Sequence, residues 1–92
     1  MALTVEKTAL FRRDLKRAMR RPDAEEIDAA LQEVIGLLRD KKPLPPKNRD
    51  HALVGIKARD CHVRPDWVLI YAVEGDTLTL LRTGTHSALG LA

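Results

Sequence analysis

The chain has 92 residues, a net charge of +3 and a pI near 9.4, enough for one small domain, residues 1–92, and no second. Hydrophobic residues make up 45% and charged residues 32%, as in soluble globular proteins, and the only aromatics are Phe11, Trp67 and Tyr71, so the core must be aliphatic. No run of about 18 apolar residues offers a membrane span, the opening Met1–Arg17 lacks the pattern of a signal peptide, and the single Cys61 excludes an internal disulfide and cysteine-based zinc ribbons. The expected compartment is a reducing cytoplasm. A domain this small buries a modest share of its surface, which favours a partner that covers part of it.

In chain order, Leu3, Thr4 and Val5 alternate and predict a short edge strand. From Thr8 to about Arg21, Phe11, Leu15, Ala18 and Met19 recur near helical spacing, and Pro22 ends that helix. Asp23 with Glu26 three residues on predicts an N-cap and a capping box. Ile27, Leu31, Val34 and Leu38 then form one apolar face of a second helix. Lys41 to Gly55 reads as a loop, because Pro43, Pro45 and Pro46 oppose helix. Ile56–Val63, Trp67–Val73 and Thr77–Thr83 predict a three-strand meander with turns at Arg64–Asp66 and Glu74–Asp76. Gly84, Thr85 and His86 close the sheet, and Ser87–Leu89 form a last turn. The expected fold is α+β, a helical hairpin packed on one face of a small antiparallel sheet, with the other face free for a ligand.

Charge is segregated along this order. Residues 8–21 carry Arg12, Arg13, Lys16, Arg17, Arg20 and Arg21 against Asp14, whereas residues 22–40 are acidic apart from Arg39. Lys41, Lys42, Lys47 and Arg49 make the following loop basic again. Such segments are either solvated faces that satisfy one another or an electrostatic footprint for nucleic acid.

The three histidines, His51, His62 and His86, all fall in the second half, at strand ends. A meander brings the ends of its first and third strands to one edge, so His62, Asp66, Arg82 and His86 are expected to share a rim, joined by His51 from the loop. Imidazoles suit proton transfer near neutral pH, and arginine suits the charge developing on a phosphate. With no activated Ser or Cys, this set fits metal-free RNA cleavage, in which the substrate's own 2′-hydroxyl is the nucleophile. His and Asp are equally metal ligands, and loop histidines without a role are the plain alternative. Asp14 and Cys61 show no distinguishing feature, and Trp67 and Tyr71, four apart on a strand, read as core.

Three strings carry more than their parts: Asp50-His51-Ala52-Leu53, Arg59-Asp60-Cys61-His62-Val63-Arg64-Pro65-Asp66-Trp67 through Tyr71, and Arg82-Thr83-Gly84-Thr85-His86 with Leu89. As D-H-x-L, R-D-x-H-V-x-P-D-W-x-L-I-Y and R-T-G-T-H-x-x-L, they resemble, in order and spacing, the YafQ branch of the RelE superfamily of type II toxins. The resemblance implies a ribosome-dependent, metal-independent mRNA endonuclease, without a cofactor, that cuts codons in the A site and is neutralised by a cognate antitoxin. It implies that His86 is the main general acid or base, that His51, His62 and Asp66 orient or deprotonate the substrate, and that Arg82 holds the phosphate. Arg12, Arg13, Lys16, Arg17 and Arg20 of the basic helix, with Lys47 and Arg49 of the loop, would contact ribosomal (16S) RNA and mRNA. Operator DNA would be reached only through the antitoxin, and no membrane is expected. One departure stands out: Leu89 is followed by Gly90-Leu91-Ala92, where the family usually has a phenylalanine, so altered codon choice is expected. The rival readings are a catalytically inactive relative that only docks to an antitoxin, a metal-dependent nuclease, and a small RNA-binding protein.

Overall fold

A single side chain joins the first strand to the first helix. In the computed structural model, which describes residues 1–90, β1 (Thr4–Lys7) runs into α1 (Ala9–Ala18) through Thr8. The Thr8 hydroxyl accepts from the Phe11 amide at 3.0 Å, as an N-cap does, and donates to the Leu81 carbonyl at 2.8 Å. The helix stops three residues short of the expected Arg21. Pro22 disfavours a helical Arg21, and the Arg20 and Arg21 amides tighten onto carbonyls three residues back.

The second helix, α2 (Ala24–Arg39), buries Ile27, Leu31 and Val34, the face expected from their spacing. Its predicted capping box does not form. The Asp23 carboxylate makes no cap bond; it pairs instead with Arg21 Nε at 2.9 Å and lies 3.7 Å from Arg64 Nη1. Two cations outcompete the backbone for this carboxylate, and they hold its pKa below the usual range. The helix ends with Lys41 in a left-handed conformation, while the Lys42 amide reaches the Leu37 carbonyl at 2.9 Å and the Lys41 amide reaches Leu38 at 3.1 Å.

The segment read as loop holds more structure than expected: a 3-10 turn at Pro46–Asn48 and a two-residue strand, β2 (His51–Ala52). The buried Asn48 explains both, since its Nδ2 donates to the His62 carbonyl at 2.6 Å and pins the loop to the sheet. β3 (Arg59–Arg64) begins three residues later than expected, because Gly55 turns the chain at φ 85° and the Leu53 amide bonds the Ala58 carbonyl.

With β4 (Trp67–Glu74) and β5 (Thr77–Gly84), the strands form one sheet in the order β1-β5-β4-β3-β2. The meander is antiparallel as expected, but β1 pairs with β5 in parallel, so the sheet is mixed. The helical hairpin carries the chain to β2 at the far edge, and three antiparallel reversals from β2 bring β5 back beside β1 in the same direction. Alternation then sorts the two faces. Cys61 and Val63, Trp67, Leu69 and Tyr71, and Leu78 and Leu80 join Phe11, Ala18, Ile27, Leu31 and Val34 in a core beneath the helices. The intervening residues face the other way.

Candidate active site

The open face is organised by strand register. His51 on β2 pairs with Asp60 on β3, Asp60 with Ile70 on β4, and Ile70 with Arg82 on β5, so these four form one row across the sheet. The next row is His62, Val68 and Gly84, after which the chain leaves β5 and turns through His86. That turn is held by Thr85, whose Oγ1 accepts from the Ala88 amide at 3.0 Å and whose carbonyl accepts from Leu89 at 3.1 Å.

The two rows bring His62 and His86 together, with ring centroids 4.7 Å apart and planes tilted by 55°. Asp60 lies beside them, its Oδ2 3.6 Å from His86 Nε2, a contact that becomes an ion pair when His86 is protonated. Asp60 is 2% exposed, and its Oδ1 is buried without a hydrogen-bond partner. One ligand atom from each of Asp60, His62 and His86 falls within 4.8 Å of the others, so these three side chains have the donor set and spacing to hold a metal ion. His51 is exposed, with Nδ1 2.9 Å from the Arg49 carbonyl; with Nδ1 donating there, Nε2 presents its lone pair to solvent.

Arg82 arrives through a bulge. The β4–β5 register slips between Ile70 and Tyr71, leaving Leu81 as the extra residue. The Arg82 guanidinium then meets Asp14 of α1, with Nε at 2.7 Å from Oδ2 and Nη2 at 3.1 Å from Oδ1, and Asp14 raises the pKa of Arg82 further. Thr83 is locked beside it: Oγ1 accepts from Trp67 Nε1 and donates to the Val68 carbonyl, each at 2.8 Å.

Asp66 stands apart. It occupies the exposed β3–β4 turn, where its charge acts on Arg21, itself 5.0 Å over the Trp67 ring. The carboxylate next to the imidazoles is Asp60, which sequence reasoning missed. The signal was there, since Asp60 and His62 are two apart on a strand and must share a face.

A cluster of Asp50, Arg59 and Tyr71 supports the site. Asp50 receives Arg59 Nε and Nη2 at 3.2 Å and the Tyr71 hydroxyl, which fixes the chain just before His51. Burial and Asp50 push the Tyr71 pKa up, and burial pushes the Cys61 thiol up to about 12, so Cys61 is a core side chain with no reactive thiolate.

The basic residues form two groups, one on the helix layer and one beside His62. Arg12, Arg13, Lys16, Arg17 and Arg20 are exposed on and just past α1, and four of them line a shallow depression of about 140 Å³. Lys47, Arg49 and Arg64 line a cleft of about 340 Å³ that opens beside His62. A further cavity of about 180 Å³ is lined by Arg17, Arg21 and Arg82, with Asp14 between α1 and β5. Leu91 and Ala92, on which the expected loss of a base-contacting aromatic bears, lie outside the described residues.

Comparison with known proteins places the fold in a family. A family model described as a bacterial toxin of type II toxin-antitoxin systems, YafQ, matches residues 3–90. The mRNA interferase toxin YafQ of Escherichia coli is 36% identical over 87 residues, covering 92% of each chain. Among solved structures, the E. coli DinJ-YafQ toxin-antitoxin complex aligns with a TM-score of 0.84 at 36% identity, over 97% of this chain and 98% of that one. A copper-bound mutant toxin from Helicobacter pylori aligns with a TM-score of 0.83 at 40% identity, over 95% and 98% of the two chains. The chain therefore belongs to the YafQ family of bacterial toxins of type II toxin–antitoxin systems.

Proposed function

We propose that this protein is an endoribonuclease that cuts mRNA on the ribosome and is neutralised by a cognate antitoxin. The observation that carries the reading is the meeting of His62 and His86 with the buried Asp60, which shares its row with His51 and Arg82, on the sheet face that the helices leave open. In the proposed reaction the substrate's 2′-hydroxyl attacks the adjacent phosphorus and the 5′-oxygen leaves, so one group must take a proton and another must give one. His86 is the principal acid or base, and His51, with Nε2 free to accept, and His62 complete the transfer. Arg82 holds the phosphate as charge develops. Asp60 orients His86, and Asp66, on its exposed turn away from the imidazoles, contacts a more distant part of the substrate. Arg12, Arg13, Lys16, Arg17 and Arg20, with Lys47 and Arg49, bind ribosomal RNA and mRNA through their phosphates, so binding weakens as salt rises.

The antitoxin reading is supported by the relative solved with DinJ, and an acidic or amphipathic segment is the chemistry this basic surface would receive. Ribosomes place the activity in the cytoplasm, and no helix among the described residues is long and apolar enough to cross a membrane.

A translation reaction followed by primer extension tests the proposal, comparing wild type with His86→Ala, with and without ribosomes, and with toxin stripped of metal by chelator and dialysed before it is added. In-frame cuts that need ribosomes, vanish in His86→Ala and survive the stripping are expected; no cleavage by the wild type would overturn the reading. A second reading is metal-dependent hydrolysis. It is favoured by one observation, the unpartnered Asp60 Oδ1 beside two imidazoles, in a family where a relative is copper-bound. Loss of cleavage by the stripped toxin, restored by one metal, would establish it in place of the first.

A further inference from the structure

Asp14 is the buried acid of an otherwise basic helix, and all three hydrogen bonds it accepts come from the Arg82–Thr83 segment, 68 and 69 residues away. Its two oxygens take Arg82 Nε and Nη2, and Oδ2 also takes the Thr83 amide at 3.1 Å. A guanidinium has two edges that present paired N–H groups. Asp14 occupies the side edge, Nε with Nη2, which leaves the end edge, Nη1 with the second Nη2 hydrogen, for an oxyanion. The Arg82 side chain is 36% exposed, so that edge is reachable, while the Asp14 side chain at 7% is not.

We propose that Asp14 is a positioning residue for RNA cleavage: it grips the side edge of Arg82 so that the end edge meets the scissile phosphate, and it ties that aim to α1. The inference rests on the endonuclease reading above. A long arginine stem unaided samples many rotamers, and a donor that is already aimed stabilises developing charge without reorganising during the reaction. The same grip takes the Thr83 amide, so the backbone that carries Arg82 is held together with its side chain. It also links the site to α1, whose Arg17 lines one cavity together with Arg82. A contact to RNA on α1 is thereby felt at the phosphate.

The test is single-turnover cleavage on programmed ribosomes by wild type, Asp14→Asn, Arg82→Ala and the double variant, each with oxygen or stereodefined sulfur at the scissile phosphate. Asp14→Asn keeps the shape and removes the charge that clamps the fork. We expect cleavage to slow by about 10- to 100-fold, as for a small misplacement of a catalytic group, with ribosome and antitoxin binding within about twofold of wild type. The double variant should be no slower than Arg82→Ala, and the penalty for sulfur on the contacted oxygen should shrink in Asp14→Asn. Wild-type rates in Asp14→Asn, losses that multiply in the double variant, or an unchanged sulfur penalty would each overturn the inference while leaving the nuclease reading intact. Absence of cleavage by the wild type would overturn both. Should Asp14→Asn fail to fold, Asp14→Glu, which keeps the charge but displaces it by one methylene, carries the same comparison with the same outcomes.

Discussion

Asp14 and Asp60 are both buried carboxylates, 8% and 2% exposed, yet they live in opposite conditions. Asp14 accepts three N–H groups and balances a guanidinium. Asp60 has one oxygen with no partner and the other 3.6 Å from His86 Nε2, beyond normal hydrogen-bond range. Removing a carboxylate from water is costly unless hydrogen bonds and charge replace the water. At Asp14 the fold supplies that replacement in full, so the group can act as a rigid anchor. At Asp60 the protein leaves it incomplete, and what completes it comes from His86, from water, from substrate or from a cation. The contrast separates a residue that aims the machinery from one that stands open to the reaction.

The largest expected effect lies on the open side. His86→Ala should lower single-turnover cleavage by about 10²- to 10⁴-fold, the usual worth of a general acid or base, with melting temperature little changed. Residual activity near wild type would remove His86 from proton transfer and leave Asp60 facing no catalytic partner. Next comes the support beneath α1. Phe11 is fully buried, and Phe11→Ala should cost about 3–5 kcal/mol of stability in urea melts, since the helix that carries Asp14 loses its main anchor. A loss below about 1 kcal/mol would mean that the Asp14 clamp holds α1 without it.

The same substitution at each of the two carboxylates separates their roles. Asp14→Asn should destabilise by about 1–3 kcal/mol because it weakens a satisfied, charge-assisted network. Asp60→Asn should be neutral or stabilising, because it removes a buried charge that the fold does not fully compensate. Equal losses at both positions would erase the distinction.

The smallest effect is on alkaline stability. Cys61 and Tyr71 both have folded pKa values raised by burial, Cys61 from 9.0 to about 12, so the native state holds these protons more tightly than the unfolded chain. Their contribution is complete below about pH 9 and is lost as pH rises towards the folded values. The urea midpoint should therefore fall between about pH 8 and about pH 10.5, and Cys61→Ala should flatten that fall. The same burial predicts that native Cys61 resists iodoacetamide until the protein is unfolded.

Much of this was legible in residue order. Helical spacing of Ile27, Leu31 and Val34, and alternation through Trp67, Leu69 and Tyr71, determine which faces are apolar, because those periods follow from local backbone geometry. The placement of His51, His62, Arg82 and His86 on one side of the sheet was within reach of the same reasoning, and Asp60 would have been added by applying it to β3 in full. Asp23 shows where local rules fail: its spacing to Glu26 suits a capping box, but Arg21 and the distant Arg64 draw its carboxylate away. The short β2 and its preceding turn were hidden for a similar reason, since they depend on Asn48 reaching the His62 carbonyl.

The sequence by itself determined the helical hairpin, the meander and the strings by which the family is recognised, since each is written in near-neighbour spacing. Only the tertiary structure decided the parallel pairing of β1 with β5, the clamp of Asp14 on Arg82 and the incomplete solvation of Asp60. Each of those depends on groups brought together across long stretches of chain, and the free energy of a buried charge is set by what surrounds it in space.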